Sequence, residues 1–232
     1  MTLLDLHEDE VPRLLVLEGT WWRQRALDSR LPLLEGVREL GMPDLWHGWY
    51  GGLPVAFCAA YGASRAVEPV HVLGTCGTPV VVQIGSCGGL QPNVHTGDIV
   101  LSERATIGEG ASQYYGGTLV AQANLGRVTR AASLFAAREL HTHRGSTITT
   151  SALLAQPPEL IRSWAAAGHL AVDLATSAVF SAATAFKMRA ASLLFVWGEL
   201  PSRSWTEAFT PAEQEAQARA SSAVFEVALG LA

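Results

Sequence analysis

Short apolar runs bounded by glycine or proline recur along the chain and predict buried β-strands. The runs are Leu14–Leu17, Val55–Ala60, Val80–Ile84, Ile99–Leu101 and Leu193–Val196. Uninterrupted apolar character over a few residues is typical of strands that are covered on both faces. We therefore expect these runs to form the centre of a sheet.

Stretches of helical character lie between several of these runs. They are Ala66–Leu73, Leu125–Leu140, Pro158–Ala167 and Ser177–Phe186. Strands that alternate with helices predict a mostly parallel sheet with helices on both faces.

A last helix has a clear start signal in Thr210-Pro211-Ala212-Glu213. The threonine is a preferred N-cap, the proline suits the first turn, and the glutamate completes a capping box. This helix is predicted to run to about Leu229.

Composition and charge narrow the class of protein. The 232 residues are 49% hydrophobic, which suits one domain over residues 1–232 with one sizeable core. The net charge of −5, without a run of like charges, argues against binding to nucleic acid. The apolar segment 165–186 contains Gly168, His169 and Asp173, so a strand and a buried helix are expected there, and no membrane contact.

The cysteines and the N-terminus favour a cytoplasmic protein. The three cysteines lack CxxC spacing, and residues 1–13 lack the basic start and apolar block of a signal peptide. Cys87 is either a small buried residue of a turn or a nucleophile. His141 and His143 could project to one side of a strand, but no third ligand is evident, so we assign no metal.

The candidate chemistry centres on residues 80–101, VVVQIGSCGGLQPNVHTGDIVL. A buried strand leads directly into a glycine-rich turn, where backbone amides can receive an anion. A plain tight turn is the alternative interpretation.

Three segments resemble the bacterial nucleoside phosphorylase superfamily, which includes uridine phosphorylases, hexameric purine nucleoside phosphorylases and methylthioadenosine nucleosidases. They are QIGSCGGLQPNVHTGDIV, GEGASQYY and AVDLATSAVFSAATAFKMRAASLLFV. The resemblance implies a single-domain three-layer α/β sandwich with a mixed, barrel-like central sheet flanked by helices. It also implies a homo-oligomer, either a dimer or a trimer of dimers, that binds a nucleoside or nucleobase and phosphate without a cofactor.

The phosphate site implied by this resemblance consists of Gly19, Arg23, Gly85 and Ser86. Gln83 stands where the hexameric purine and the uridine phosphorylases carry a phosphate-binding arginine. A charge-assisted contact is therefore missing at that position.

The ribose and base sites are also implied by resemblance. Asp173 is the candidate ribose ligand, or alternatively a buried carboxylate bound to backbone amides, and Ala175 replaces the glutamate that grips the sugar hydroxyls. The candidate base pocket is formed by Tyr114, Tyr115, Gln156 and Trp197.

The proton donor is the least clear part of the resemblance. Trp197-Gly198 replaces the Ser-Asp of purine phosphorylases, and Glu199, one residue further along, is the remaining acid candidate. Three interpretations are open for the tryptophans Trp21, Trp22 and Trp197. They fill a vacated pocket, they stack on a bound ring, or they pack in the core.

Two functions stay open at this point. One is phosphate-dependent cleavage of a nucleoside N-glycosidic bond. The other is a catalytically silent relative that binds a different small ligand or serves as a structural subunit.

Overall fold

The computed structural model describes residues 4–203 and 206–232. The strands in this part of the chain are β1 (Leu14–Gly19), β2 (Glu35–Glu39), β3 (Leu45–Tyr50), β4 (Leu53–Ala59), β5 (Val80–Gly89), β6 (Ile99–Gly108), β7 (Val120–Gln122), β8 (Thr142–Thr150), β9 (Ala171–Asp173) and β10 (Arg189–Glu199). The helices are α1 (Arg23–Arg30), α2 (Ala63–Thr75), α3 (Leu125–Ala136), α4 (Pro158–Ala166), α5 (Thr176–Ala185) and α6 (Pro211–Leu229).

The strands form one mixed sheet that partly closes on itself. Their order is β10-β6-β8-β9-β5-β1-β4-β3-β2, and β7 pairs with β6. Because β10 also pairs with β5, the strands β10, β6, β8, β9 and β5 close into a barrel. This architecture confirms the mixed, barrel-like sheet that the resemblance implies.

The sheet is less parallel than the alternation of strands and helices suggests. β1 runs parallel to β4 and β5, but β3 is antiparallel to both β2 and β4. The turn between β3 and β4 consists of Gly51 and Gly52, which both have positive φ. Two such residues form the type I′ turn that closes a tight hairpin, so these strands need no crossover helix.

Helices cover the two faces of the sheet. On one face α3 and α6 pack onto a core in which the Phe57 and Phe225 rings meet edge to face at 5.7 Å. On the other face α2 and α5 enclose a second core around Val70 and Phe180. The result is the helix–sheet–helix sandwich that was expected.

The predicted elements are confirmed by the structure. The five apolar runs fall on strands, with Ala60 one residue beyond the end of β4, and the capping box joins Thr210 and Glu213 at the start of α6. Helix α3 ends at Ala136, four residues before the predicted Leu140. Segment 165–186 forms β9 and α5 as expected. Within the described ranges, the helices are all too short or too polar to cross a bilayer.

Candidate functional site

The carboxyl ends of β1, β5 and β10 meet at one edge of the barrel and bring the glycine-rich turn together with the N-terminal turn. Gly19 pairs with Gly85, and Ser86 pairs with Phe195. A Cβ atom on Gly85 would lie 3.0 Å from the Gly19 carbonyl oxygen, closer than ordinary packing allows. Glycine is therefore required at residue 85, and the exposed Ser86 lies directly beside it.

A group of aromatic side chains lies at the same edge. We call it the aromatic cluster, and it consists of Trp21, Trp22, Tyr61, Trp197 and Phe209. Trp22 stacks on Trp197 with ring centroids 5.6 Å apart and an interplanar angle of 26°. Trp21 packs against Tyr61, and Phe209 meets Trp197 edge on. The Trp22 and Trp197 side chains remain 55% and 38% exposed, so the stacked pair offers aromatic surface to solvent.

Local backbone geometry explains why Trp197 projects outward. Val196 pairs with Cys87, and Gly198 pairs with the next residue, Gly88. Trp197 is thus the extra residue of a β-bulge, a device that redirects a side chain at a strand end. Trp197 lies next to Gly198, the position where the resemblance implies an acid.

Arg23 is the first residue of α1, and its charge is already paired. Its Nε donates a hydrogen bond to Oδ1 of Asp44. Arg23 also borders a surface cavity of about 620 Å³ that Glu39 and Trp46 help to line. For Arg23 to bind phosphate, an anion would have to compete with the Asp44 carboxylate.

Gln83 is fully enclosed two residues before Gly85. Its amide nitrogen donates to Asp173 Oδ2 at 3.1 Å, and its carbonyl oxygen accepts from Ser192 Oγ at 2.8 Å. Thr176 Oγ1 lies 2.6 Å from the same carbonyl oxygen. A neutral amide therefore forms a junction between buried polar groups at the position where the resemblance implies an arginine.

Asp173 is the centre of this buried polar network. Its Oδ2 accepts from the backbone N–H groups of Ala175, at 2.9 Å, and Thr176, at 2.7 Å. Its Oδ1 accepts from the Thr149 hydroxyl at 2.7 Å. With the amide of Gln83 and the Thr176 hydroxyl, which lies 2.7 Å from Oδ2, five protein donor groups surround this carboxylate. Two of them are N–H groups at the start of α5 that need an acceptor.

Residues 108–115, the GEGASQYY segment of the resemblance, contact both ends of α5. Glu109 accepts from the Ser177 hydroxyl at 2.9 Å, beside the start of α5. The Tyr115 hydroxyl instead contacts His71 Nδ1 at 3.2 Å, and its ring packs near Phe186, beyond the other end. Tyr115 thus contacts Phe186 just after the last residue of α5, whereas Asp173 lies before its first residue.

The remaining predicted residues are exposed or have other immediate partners. Tyr114 is 90% exposed, and Gln156 donates to the Ala152 carbonyl at 3.3 Å within its own segment. Glu199 accepts from the backbone N–H of Thr96 at 2.7 Å and from its hydroxyl at 3.0 Å. The Glu199 carboxylate is thereby attached to the loop that precedes β6.

Cys87 resembles a packed residue more than a nucleophile. Its Sγ lies 3.5 Å from the Phe195 carbonyl oxygen. Burial, and secondarily the charge of Asp173, raise the pKa of the Cys87 thiol well above its ordinary value. The thiol therefore stays neutral and poorly reactive.

Several polar residues in this network give little sign of their importance in the sequence. They are Glu109, Thr149, Thr176 and Ser192, all buried. For Ser192 and Thr176 the available signal is their place in otherwise apolar or helical segments, where a buried hydroxyl needs a partner.

Comparison with known proteins gives a consistent result. The family model described as "Phosphorylase superfamily" matches residues 29–228. A guanosine phosphorylase from Halorubrum lacusprofundi is 26% identical over 153 residues, or 65% of this chain and 64% of its own length, a little under two thirds. A DeoD-type purine nucleoside phosphorylase from Jannaschia sp. is 26% identical over 85% of this chain and 83% of its own.

The fold comparison covers nearly the whole chain. The crystal structure of uridine phosphorylase from Vibrio fischeri ES114, in complex with 6-hydroxy-1-naphthoic acid, superposes with a TM-score of 0.84. The match covers 97% of this chain and 93% of that chain at 21% sequence identity.

Proposed function

Because this chain belongs to the phosphorylase superfamily, we propose that it binds a planar ring of the nucleobase class against Trp22 and Trp197, with little or no phosphorolysis of ordinary nucleosides. The observation that carries this proposal is the stacked, solvent-facing pair of indoles beside Gly198. Exposed aromatic faces stack on bases without needing a charged partner.

The low phosphorolysis follows from the polar groups near the glycine-rich turn. The amide of Gln83 is bound to Asp173, and the Asp173 carboxylate is held by protein donors. Ala175 is buried and offers only a methyl group to a sugar. Each missing transition-state contact costs a factor of roughly 10²–10³ in rate, so these losses together suppress the chemical step.

A second candidate is phosphate-dependent cleavage of a nucleoside N-glycosidic bond. The close approach of Gly19 to Gly85, with Ser86 exposed beside it, favours this reaction because the turn keeps a hydroxyl and backbone amides for an anion. In this proposal Arg23 joins the phosphate site after leaving Asp44, and Asp173 holds the ribose. The base pocket would draw on Tyr114, Tyr115, Gln156 and Trp197, and Glu199 would supply the proton.

The experiment that separates the two candidates combines calorimetric titration with an assay for base release. Purified protein is titrated with uracil, guanine, uridine, guanosine, phosphate and ribose 1-phosphate, and base release is followed with phosphate present. We expect nucleobase binding that Trp197→Ala weakens by roughly 5- to 150-fold, because stacking on one aromatic ring contributes about 1–3 kcal/mol.

A matched control is Tyr50→Ala, which removes a similarly exposed aromatic ring from the end of β3. This variant should bind bases as the parent protein does. Turnover of about 1 s⁻¹ or faster, which is ordinary for an enzyme, would instead favour the phosphorylase candidate. Equal binding by the Trp197→Ala and Tyr50→Ala variants would overturn the assignment of the ring site.

A further inference from the structure

A second group of functional side chains lies where β6 and β8 begin, separated from the glycine-rich turn by β10. Asp98 immediately precedes β6, and His141 and His143 flank Thr142 at the start of β8. Ile99 pairs with Thr142 in parallel register, and its N–H donates to the His141 carbonyl at 2.9 Å. This pairing places the two imidazoles on the same side as the Asp98 carboxylate.

The distances within this group are short. Asp98 Oδ2 lies 2.8 Å from His143 Nε2 and 3.2 Å from His141 Nδ1. The candidate ligand atoms of all three side chains lie within 4.8 Å of one another. In a tetrahedral zinc site with bonds of 2.0–2.2 Å, ligand atoms are about 3.3 Å apart. Small side-chain rotations would therefore bring the three atoms around one ion.

The chemistry and exposure of the group suit a transition metal. Two imidazoles and one carboxylate favour zinc and similar divalent ions over Mg²⁺ or Ca²⁺, which prefer oxygen ligands. The His143 and Asp98 side chains are 8% and 14% exposed, whereas His141 is 67% exposed. The group is thus anchored on one side and open to solvent on the other, which gives an ion an entry path.

A further hydrogen bond orients the carboxylate. The backbone N–H of His95 donates to Asp98 Oδ2 at 2.9 Å. Outer-shell hydrogen bonds of this kind fix the geometry of metal ligands. The His95 ring itself points elsewhere, with Nδ1 4.0 Å from Glu199 Oε1.

We propose that Asp98, His141 and His143 bind a divalent transition-metal ion of the zinc class, with at least one coordination position left to solvent. The ion would connect the loop before β6 to the first residues of β8. The same loop is bonded to β10, because the Asp98 carbonyl accepts from Val196 N–H at 2.8 Å. The metal would therefore stabilise the segment next to Trp197 without entering the candidate ring site.

The test uses the full chain and Zn²⁺ alone. Protein treated with a chelator and then freed of it is titrated with Zn²⁺ by calorimetry, and the Tm is measured with and without the ion. We expect one ion per chain and a higher Tm. Co²⁺ should give the visible absorption bands of a low-symmetry, four- or five-coordinate site.

Variants decide whether these three residues form the site. Asp98→Asn and His143→Gln should each weaken Zn²⁺ binding by at least roughly 10-fold, since even outer-shell changes cost 10–100-fold. The exposed His141→Asn gives the same test with less risk to folding. His95→Gln is the matched control and should bind as the parent does.

Two results would overturn the proposal. One is a parent protein that binds no Zn²⁺ at one ion per chain, which would leave the group as a hydrogen-bonded cluster only. The other is folded His141→Asn protein, verified by circular dichroism, with unchanged affinity and an unchanged Co²⁺ spectrum.

Discussion

At Asp173 a single carboxylate satisfies donors from three separate parts of the chain. It binds N–H groups at the start of α5, the Thr149 hydroxyl on β8 and the Gln83 amide on β5. Hydrogen bonds to a charged group are worth about 1.5–3 kcal/mol each, and donors left buried without an acceptor are costly. The residue therefore contributes to stability whether or not it also contacts a sugar.

We expect Asp173→Ala to lower the free energy of unfolding by about 3 kcal/mol or more, because it leaves several buried donors without an acceptor. Asp173→Asn should cost less, since the amide oxygen replaces one carboxylate oxygen. Urea denaturation measures both changes.

Asp28→Ala is the control for the Asp173 substitutions. Asp28 lies on the exposed side of α1 and accepts one bond from Gln24, so its loss should change stability by no more than about 0.5 kcal/mol. If Asp173→Ala were as mild as Asp28→Ala while ligand binding fell, Asp173 would act as a ligand and not as a structural residue.

At the scale of elements, the strands that could be predicted from the sequence are those with an uninterrupted apolar run. The apolar runs identified β1, β4, β5, β6 and β10, and the start signal identified α6. β2 and β8 consist largely of polar or exposed residues, so no apolar run indicates them. Their place in the sheet depends on pairing with distant strands.

The same distinction applies to the candidate site. Gly19, Gly85 and Ser86 meet because their strands pair in register, which the resemblance implies. Gln83 has three hydrogen-bond partners that lie 90 or more residues away along the chain, namely Asp173, Thr176 and Ser192. Such contacts depend on tertiary packing, which local pattern does not encode.

The N-terminus of α6 provides a prediction at this scale. The Thr210 hydroxyl accepts from Glu213 N–H, and Glu213 accepts from Thr210 N–H at 2.7 Å. We expect Thr210→Ala to lower the free energy of unfolding by about 1 kcal/mol and Thr210→Ser to change it little. Thermal and urea unfolding report the difference.

Ser222→Ala is a useful comparison because Ser222 is exposed within the same helix. Alanine has the higher helix propensity, so this change should be neutral or slightly stabilising. A loss in Ser222→Ala equal to that in Thr210→Ala would show that capping is not the cause.

At the scale of the whole molecule, closure of the barrel requires β10 to pair with β5 on one side and β6 on the other. The folded state also buries the rings of His47, on β3 outside the barrel, and of His169, just before β9. Burial lowers the pKa of His47 and outweighs the opposing hydrogen bond to the Glu10 carbonyl. Burial, with a smaller contribution from Arg104, also lowers the pKa of His169.

These shifts predict that stability falls in mild acid. Below the ordinary histidine pKa of 6.5, the unfolded chain binds protons that the folded chain excludes, so acidification favours unfolding until the lower folded pKa is reached. Urea midpoints at pH 7 and pH 5 test this expectation. His47→Gln, whose amide can still donate to the Glu10 carbonyl, should lose less stability over that interval than the parent.

His71→Gln is the control for the histidine comparison, because its ring is exposed and contacts Tyr115. It should leave the dependence on pH as it is in the parent. If the urea midpoint of His47→Gln fell between pH 7 and pH 5 by as much as that of the parent, groups other than His47 would cause the acid sensitivity.

The stacking of Trp22 on Trp197 has an optical consequence. Two indoles whose centroids are 5.6 Å apart and nearly parallel share their electronic transitions, and this coupling shapes the near-ultraviolet circular dichroism of the protein. A flat molecule that slides between them, or that rotates one ring away, changes the coupling at once. The molecule thus contains an internal chromophore pair that reports occupancy of this edge of the barrel without any added label.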